Sequence, residues 1–571
     1  VVAVSRPDLE ADAYRSQLWQ VSLAGKDPVQ LTSGEHDSDP AVSPDGAWIA
    51  FIRRTESGPQ LALMDARGGE ARVLTAHPFG TSGRPVWSPD SRRIAYTAPV
   101  PAAERAEGAS SPADEPARRF TTLTYRLDGV GFTGDRPRQV FALDVPLHPH
   151  PLDGDPSVLT PVRLTEGEVS LAAPVWSPDS SFLLALRERA DAVRGDLVRI
   201  DVPAYLPPES DDVPAQAQVT VIETPFDVTG VAYGNVSQEL YLTACALERD
   251  ETNYIAKSSS LYRGDLGAST LTNLQRLTDP AVDDILPGVG SGALQVMDGG
   301  MDARVLVLRR TRGRVELVWA EPLEVTEQTE QRNAVRLIPV NHSGNVIGAQ
   351  AFGDGRILAT LTLEDSSGEV VMLTPTHEDE YTAENLTDLA AGLRAVAPAR
   401  PNLELEGVSA DGYPVHGWVV LPDPEIYGEG PHPVLLNIHG GPHAQYENTF
   451  FDETQAYVGA GYAVVFGNPR GSAGYGQAHA RAIIDGFGDL DAQDVIALLD
   501  TALATYPELD ATRQGVLGGS YGGYMTAWLT TRPEASRFTA AIVERGFLDP
   551  VSFVGSSDIG WYFGLAYLGN E

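Results

Sequence analysis

Residues 85–90 read Pro-Val-Trp-Ser-Pro-Asp, and the same six residues return at 174–179. The end of this phrase, Ser-Pro-Asp, also stands at 43–45. Proline presets the backbone for a turn and aspartate can bond the turn's own backbone, so each copy predicts a tight turn between two strands. A turn phrase that recurs together with its preceding apolar residues is typical of a repeat protein.

Two more phrases recur along the first two-thirds of the chain. One is a short alternating strand, found at 17–21, 60–65, 139–144, 196–201, 260–265, 315–319 and 368–373. The other closes each unit, usually as Leu-Thr at 31–32, 74–75, 164–165, 277–278 and 386–387, with Ile222-Glu223 and Leu337-Ile338 in its place in two units. Seven closures, spaced mostly by about forty to sixty residues, suit four-stranded blades.

These repeats predict an all-β, seven-bladed β-propeller over residues 1–396. The third unit is wide, and its Pro-, Ala- and Glu-rich stretch at 99–118 is expected to form an exposed loop. The first unit lacks its opening Ser-Pro-Asp strand, so we expect residues before Val1. The alternative is a β-sandwich or two smaller β-domains, which would not repeat one turn phrase at blade spacing.

The pattern changes at residue 397, where buried-looking strands begin to alternate with helical stretches. This alternation predicts a second domain over 397–571 with a parallel α/β sheet. A hairpin around Asp411-Gly412 introduces it. The predicted elements are strands at 434–438, 463–466, 515–517 and 540–544 and helices at 489–503 and 521–531.

Composition excludes several classes of partner. The formal net charge is −37, which argues against nucleic acid and anionic membranes, since both need a basic footprint. No apolar run is long enough for a transmembrane helix. Cys245 is the only cysteine and no signal-peptide pattern follows Val1, so we expect a reducing, cytoplasmic location. His148 and His150 have no third ligand nearby in the sequence, and we expect neither a metal nor a cofactor.

The candidate nucleophile is Ser520, in the stretch Gly-Gly-Ser-Tyr-Gly at 518–522. This stretch follows a short strand and opens a helix, which is the setting of a nucleophile elbow. Small residues are needed two places before and after the serine, and Gly518 and Gly522 meet that need. A phosphate-binding loop is a minor alternative, because no lysine follows.

A second glycine-rich loop, His439-Gly-Gly-Pro-His443, follows the predicted strand at 434–438. In an α/β-hydrolase this loop supplies one oxyanion-hole N–H and the residue after the nucleophile supplies the other. Here the donors would be the amides of Gly441 (or Gly440) and Tyr521. A metal pair at His439 and His443 would need a helix, which the intervening Gly-Gly-Pro disfavours, so both are interpreted as structural residues of the loop.

Five ordered motifs resemble those of the prolyl oligopeptidase family of serine peptidases, most of all its acylaminoacyl-peptidase branch. They lie at 439–443, 468–476, 488–490, 518–526 and 557–561, and that family also has an N-terminal propeller with Ser-Pro-Asp phrases. The resemblance implies that Ser520 attacks a peptide carbonyl, a histidine takes its proton and an aspartate orients that histidine. It also implies that the propeller caps the site and that residues 468–476 lie near the pocket. Phe553, Trp561 and Tyr562 are candidates for an apolar substrate pocket, and an aromatic core is an equally good interpretation.

The proton acceptor is missing from the expected place. The order in this fold is serine, acid, histidine, yet no histidine follows His479. Asp549 and Asp558 do follow Ser520, but the family pattern places the acid further along the chain. We therefore expect the hydrolase domain to be C-terminally incomplete, the triad Asp and His to lie beyond residue 571, and residues 1–571 to be almost inactive. A role for His416 or His479, or a natural pseudo-enzyme, is disfavoured.

The function expected from the resemblance is hydrolysis of short peptides, with release of N-acylated amino acids from blocked N-termini through an acyl-enzyme. One alternative is a carboxylesterase that uses the same site, and another is a propeller scaffold with an inactive hydrolase domain. The expected partners are short or N-acylated peptides, and a homo-oligomer is compatible with the sequence.

Overall fold

The computed structural model describes residues 1–24, 27–102, 117–145, 160–189, 192, 195–204, 206, 217–234, 239–247, 254–286, 294–298, 303–323, 335–377 and 379–569. His148, His150 and residues 103–116 of the predicted loop lie outside them. The chain divides into two compact units, one formed by Val1–Ala244 and Tyr262–Gln275 and the other by Cys245–Leu261, Arg276–Pro287 and Ser291–Glu571. The predicted domain boundary at 396/397 stays a prediction.

Among the described residues of 2–385, seven sheets of three to five strands follow one another, and they confirm the seven predicted blades. The first sheet has three strands, β1 (Val2–Asp8), β2 (Ala13–Gln20) and β3 (Val29–Gln30). The second has β4 (Asp37–Val42), β5 (Trp48–Thr55), β6 (Gly58–Asp65) and β7 (Arg72–Val73). The third has β8 (Ser82–Trp87), β9 (Arg93–Pro99), β12 (Arg138–Asp144) and β13 (Val162–Arg163), with a separate hairpin of β10 (Arg126–Leu127) and β11 (Gly131–Phe132) between β9 and β12 in the chain.

The remaining blades lie at residues 171–385. The fourth has β14 (Leu171–Trp176), β15 (Phe182–Arg187), β16 (Asp196–Asp201) and β17 (Val219–Ile222), and the fifth has β18 (Phe226–Tyr233), β19 (Leu240–Ala246), β20 (Ser260–Leu266) and β21 (Leu271–Arg276). The sixth has β22 (Asp284–Ile285), β23 (Leu294–Asp298), β24 (Ala303–Thr311), β25 (Arg314–Pro322) and β26 (Val335–Pro339). The seventh has β27 (Asn345–Ala351), β28 (Ile357–Leu363), β29 (Ser366–Pro375) and β30 (Tyr381–Asn385).

The Ser-Pro-Asp turns form as predicted and share one hydrogen-bond pattern. The serine hydroxyl donates to the aspartate two residues later, at 2.5 Å in the turn of Ser43, 2.6 Å in that of Ser88 and 2.7 Å in that of Ser177. The same hydroxyl accepts the first backbone N–H of the following strand, at 2.9, 2.9 and 3.1 Å. Each turn therefore satisfies the end of a hairpin with its own side chains.

The tryptophan of the longer phrase connects neighbouring blades. Trp87 donates its indole N–H to the carbonyl of Ala41 in the preceding sheet, at 2.9 Å. Trp176 donates in the same way to Val86, at 3.2 Å. The repeat therefore includes a contact from one blade to the blade before it.

The Leu-Thr closures bind the alternating strand of their own blade. In all five, the threonine Oγ1 accepts a backbone N–H from that strand at 2.9–3.0 Å; the donors are Leu18, Leu61, Val140, Leu261 and Val370. In three blades the threonine hydroxyl also donates to the residue just before that donor, namely Gln60, Gln139 or Glu369. Each threonine thus satisfies buried polar groups at the outer side of a blade.

We expect Thr75→Val to lower the unfolding free energy of its unit by about 1–3 kcal/mol, because the Leu61 N–H would be left buried without a partner and the Gln60 side-chain oxygen would lose one of its two donors. Urea unfolding followed by tryptophan fluorescence measures the change. Thr272→Val, at an exposed strand position, is the matched control and should change stability by less than about 0.5 kcal/mol. Equal effects of the two substitutions would contradict this role of the closure.

A six-stranded sheet follows the blades, in the order β31-β32-β34-β33-β35-β36. Its strands are β31 (Leu403–Val408), β32 (Pro414–Val420), β33 (His432–Ile438), β34 (Ala463–Gly467), β35 (Leu509–Gly519) and β36 (Phe538–Glu544). The first two pair antiparallel, β32 pairs antiparallel with β34, and the last four strands are mutually parallel. This confirms the predicted α/β-hydrolase architecture.

The helices of the described residues are α1 (Ala391–Val396), α2 (Pro424–Tyr427), α3 (Asp452–Gly459), α4 (Gln477–Arg481), α5 (Leu490–Thr505), α6 (Tyr521–Thr530), α7 (Pro550–Ser556) and α8 (Gly560–Leu568), with a 3₁₀ helix at Pro533–Arg537. Of these, α3 to α6 and the 3₁₀ helix connect the parallel strands. None of the helices in the described ranges is both long and apolar enough to span a bilayer. The parallel register places Ile438 opposite Gly518, so the loops that follow β33 and β35 begin side by side.

Candidate active site

Ser520 is the single residue between β35 and α6, and its backbone conformation is strained, with φ 58° and ψ −118°. Few residues other than glycine adopt a positive φ, and such strain is typical of a nucleophile elbow. Two backbone hydrogen bonds hold the turn. The Ser520 N–H donates to Glu544 O at 3.0 Å, and the Tyr524 N–H donates to Ser520 O at 2.9 Å. The structure thus places Ser520 as the sequence predicts.

Gly518 and Gly522 face the same carbonyl oxygen, that of Ile438. A Cβ added to Gly518 would lie 2.5 Å from this oxygen, and one added to Gly522 would lie 2.0 Å from it. Real Cβ atoms do not approach an oxygen so closely, so any side chain here would push β33 and α6 apart. The glycine spacing is therefore a packing requirement of the turn at Ser520.

We expect Gly522→Ala to lower stability by at least about 3 kcal/mol or to prevent folding of the hydrolase sheet, because backbone atoms would have to move. Thermal unfolding and soluble yield measure the effect. Gly555→Ala in α7 is the matched control, since its Cβ would meet nothing within 4 Å, and it should be neutral or stabilise by up to about 1 kcal/mol. A well-folded Gly522→Ala protein would contradict the close approach.

The loop after β33 lies directly against the serine. A Cβ added to Gly440 would be 3.3 Å from the Ser520 Cβ, and Gly441 has a φ of +122°. Neither the Gly440 N–H nor the Gly441 N–H has a hydrogen-bond acceptor among the described residues. Two free backbone donors beside the nucleophile are the arrangement that an oxyanion needs. Gly440 also lines the cavity at Ser520, and the roles of Gly440, Gly441 and Tyr521 stay predictions.

A cavity of about 380 Å³ opens at Ser520. Besides the backbone of β33, β35 and the two glycine-rich loops, its walls are Tyr446, Phe451, Glu453, Glu544 and Arg545. The sequence analysis did not single out these five side chains. The first three follow the His439–His443 loop in the chain, Glu544 ends β36 and Arg545 follows it, so proximity to the motifs was the only signal that could have found them.

The three residues predicted for an apolar pocket lie on α7 and α8, away from the walls of this cavity. Phe553 contacts the rings of Phe547 and Phe563, with centroids 4.7 and 5.8 Å apart. Trp561 and Tyr562 pack edge to face at 5.0 Å. These contacts are those of an aromatic core, and a role of the three residues in binding substrate stays a prediction.

The loop at 468–476 does contact residues of the cavity, as the resemblance implies. The Asn468 side chain accepts the Tyr446 N–H at 2.7 Å and donates to the Tyr446 carbonyl at 3.0 Å. Ser472 Oγ lies 3.0 Å from His439 Nε2. Arg470 is buried in the same loop and forms a two-pronged ion pair with Asp494 of α5. The loop thus fixes both sides of the Ser520 cavity.

None of His416, His439 and His479 has a ring nitrogen free to take a proton from Ser520. His443 has a buried Nε2 without a hydrogen-bond partner among the described residues, but it is not among the residues that line the Ser520 cavity, and burial lowers its pKa to about 4. His439 lines the cavity, but its Nδ1 lies 2.7 Å from Gly440 O and its Nε2 contacts Ser472. His479 bonds Tyr413 and Pro469, and burial lowers its pKa to about 4. His416 bonds Tyr475 and Glu404. Both disfavoured upstream candidates therefore have their ring nitrogens engaged elsewhere.

A buried carboxyl group, that of Asp491, contacts the side chain of Tyr521, the residue that follows Ser520. It is fully buried and accepts hydrogen bonds from the Tyr521 hydroxyl at 2.6 Å and from the Gly488 and Ala492 N–H groups at 2.9 and 3.0 Å. Burial raises the pKa of Asp491 to about 6, although these hydrogen bonds oppose the rise. The sequence analysis gave this residue no role.

The raised pKa of Asp491 predicts a pH dependence of stability. Its folded-state pKa of about 6 exceeds the ordinary value of 3.8, so its stabilising contribution is complete below about pH 4 and is lost as the pH rises through 6. Wild type should therefore lose about 3 kcal/mol relative to Asp491→Asn between pH 4 and 7. Urea unfolding of both proteins at several pH values measures the difference, and parallel pH profiles would contradict the shift.

Comparison with known proteins agrees with this architecture. A sequence profile of the prolyl oligopeptidase family matches residues 448–571. The chain is 31% identical over 569 residues to YuxL, an uncharacterized peptidase of Bacillus subtilis strain 168, and the alignment covers 98% of this chain and 80% of that relative. It is 22% identical over 589 residues to dipeptidyl-peptidase 5 of Porphyromonas gingivalis, covering 98% of this chain and 77% of that relative.

Two solved structures share the fold over the whole chain. Pyrococcus horikoshii acylaminoacyl peptidase superposes with a TM-score of 0.74 at 20% identity, and a puromycin-hydrolyzing peptidase of Mycobacterium tuberculosis superposes with 0.67 at 19% identity. Each match covers 100% of this chain and 79% of the other. At these identities the likeness concerns the fold, and it confirms a propeller joined to an α/β-hydrolase domain.

Proposed function

The chain belongs to the prolyl oligopeptidase family, and from this premise we propose that it is a serine peptidase that uses Ser520 to hydrolyse short peptides. One observation carries the proposal: Ser520 is held at a strained strand-to-helix turn, in a cavity, against the free backbone amides of the Gly440 loop. The serine Oγ would attack the peptide carbonyl, and the developing oxyanion would accept hydrogen bonds from Tyr521 N–H and from Gly440 or Gly441 N–H.

The proposal also concerns the group that would accept the proton of the Ser520 hydroxyl. His416, His439 and His479 are bonded elsewhere, and the sequence has no histidine after His479. We infer that no histidine of the described part of the chain serves as the general base, and that Ser520 of this polypeptide reacts slowly. A missing base removes roughly 10²–10⁴-fold of rate, while the oxyanion donors stay in place.

The finer proposal concerns the substrate. We propose N-acylated peptides, with release of the N-acylated residue, because the fold is shared with an acylaminoacyl peptidase and the Ser520 cavity has aromatic walls in Tyr446 and Phe451. The relative named dipeptidyl-peptidase 5 supports a peptide substrate as well. A cytoplasmic location and a propeller that limits substrate size belong to the same proposal.

We expect a fluorophosphonate to label Ser520 of the 1–571 polypeptide slowly, and imidazole to speed the labelling at least about tenfold by acting as a free base. Intact-mass spectrometry measures the rate, and Ser520→Ala is the control that should show no adduct. Rapid labelling without imidazole would mean that a base is present in the chain. No labelling with imidazole would refute the nucleophile and favour an inactive scaffold.

The same imidazole-supported protein distinguishes peptidase from esterase. The proposed function predicts turnover of acetyl-alanine p-nitroanilide as well as of the matching p-nitrophenyl ester. Turnover of the ester alone would favour the carboxylesterase alternative. Turnover of the free-amine peptide in preference to its acetylated form would refute the N-acyl proposal and leave the serine peptidase standing.

A further inference from the structure

Helix α6 is attached along one face to the segment Phe487–Asp491, which leads into the first turn of α5 and is remote from Ser520 in sequence. Three side chains of α6, at relative positions i, i+3 and i+7, donate hydrogen bonds to it. Tyr521 donates to the Asp491 carboxyl at 2.6 Å, Tyr524 donates to Phe487 O at 3.2 Å, and Trp528 donates to Gly488 O at 2.7 Å. We call this set the α6 clamp.

The clamp is closely packed at each contact. The Phe487 ring meets the rings of Tyr521 and Tyr524 with centroids 5.3 and 5.8 Å apart. Gly488 has a φ of +84°, and a Cβ added to it would lie 2.3 Å from the Trp528 indole. Only glycine therefore allows the segment to pass so close to α6.

One contact of the clamp differs from the other two. Tyr524 and Trp528 bond neutral backbone carbonyls, whereas Tyr521 bonds a carboxyl group that is fully buried. Tyr521 is also the residue directly after Ser520, and its own side chain is buried. A hydrogen bond to a charged group is stronger than one to a neutral carbonyl, so Asp491 restrains the first turn of α6 most strongly.

We propose that Asp491 is a positioning residue for the nucleophile: it binds the Tyr521 hydroxyl and so fixes the Tyr521 N–H and Ser520 at the start of α6. The inference rests on the proposed function, since it concerns the reactivity of Ser520. Burial also keeps part of the Asp491 carboxyl protonated near pH 6, so the strength of this contact should vary with pH.

The titratable and charged groups that face Asp491 decide whether this pH dependence can be assigned to Asp491 itself. From α6 they are the hydroxyls of Tyr521 and Tyr524; burial raises the pKa of Tyr524 to about 12 and that of Tyr521 further. From its own helix, α5, the neighbouring charge is Asp494, which is paired with Arg470. Both tyrosines therefore stay neutral in the range where Asp491 changes charge.

The test is the rate constant of Ser520 phosphonylation in imidazole buffer, measured for wild type and variants from pH 5 to 8. We expect Asp491→Asn to slow labelling about 10–100-fold at pH 7.5, with the reagent's apparent binding constant unchanged. Tyr521→Phe should slow it similarly, and the double variant should be no slower than either. The ratio of wild-type to Asp491→Asn rates should fall toward one at pH 5, since a common imidazole dependence cancels in the ratio.

Asp489→Asn is the matched control, because Asp489 is exposed two residues away and bonds Gln493 of its own helix. It should label at the wild-type rate. A merely structural role would lower the unfolding midpoint and the labelling rate together, whereas positioning lowers the rate and leaves the midpoint at pH 7.5 unchanged or higher. Wild-type labelling by Asp491→Asn, equal slowing by Asp489→Asn, or a ratio that is independent of pH would overturn the proposal.

Hydrogen exchange separates this inference from the proposed function. We expect the amides of residues 518–528 to exchange at least about tenfold faster in Asp491→Asn than in wild type. If wild type is never labelled even with imidazole, the proposed function fails, and unchanged exchange over 518–528 would then overturn the clamp as well. Unchanged exchange in a protein that does label overturns the positioning role alone.

Discussion

The carbonyl oxygen of Ile438 sets the constraint on which the hydrolase site depends. Gly518 on β35 and Gly522 on α6 both approach it so closely that no side chain fits. Because Ile438 is followed at once by the His439–His443 loop, the contact that allows the elbow also brings that loop to Ser520. The nucleophile and its candidate oxyanion donors are thus placed by backbone packing, and the strain at Ser520, about 1–3 kcal/mol for such a conformation, is held by the surrounding core.

Most of the propeller could be predicted because its signals are local. A Ser-Pro-Asp turn satisfies itself within five residues, so each copy could be recognised without knowing what lies around it. The bond from Trp87 to Ala41 spans 46 residues, and the bond from Thr75 to Gln60 spans 15. The sequence shows both partners of each bond as separate repeats, but their pairing depends on how strands align, which a repeat alone does not specify.

The candidate active site, like the propeller, has a part that local sequence predicts and a part that depends on tertiary packing. Ser520 and its glycines could be found because a tight strand–turn–helix junction restricts residue size at fixed spacing. The cavity walls at Tyr446, Phe451 and Glu453 carry no such restriction, and tertiary packing decides which of them face the serine. Asp491 was hidden for another reason: an aspartate near the start of a helix is ordinarily an exposed capping residue, and only the fold shows that it is buried against Tyr521.

The burial of Asp491 raises the question of why this position has a carboxylate and not an apolar side chain. Asp494, three residues further along α5, is paired with Arg470 of the 468–476 loop, and their opposite charges offset each other's loss of hydration. Asp491 instead has neutral donors only, so an ionised Asp491 is costly, as its raised pKa shows. Its position in the first turn of α5 offsets part of that cost through the helix dipole. An apolar pair at Asp491 and Tyr521 would serve stability better, so the polar pair is the feature of this core that packing alone does not explain.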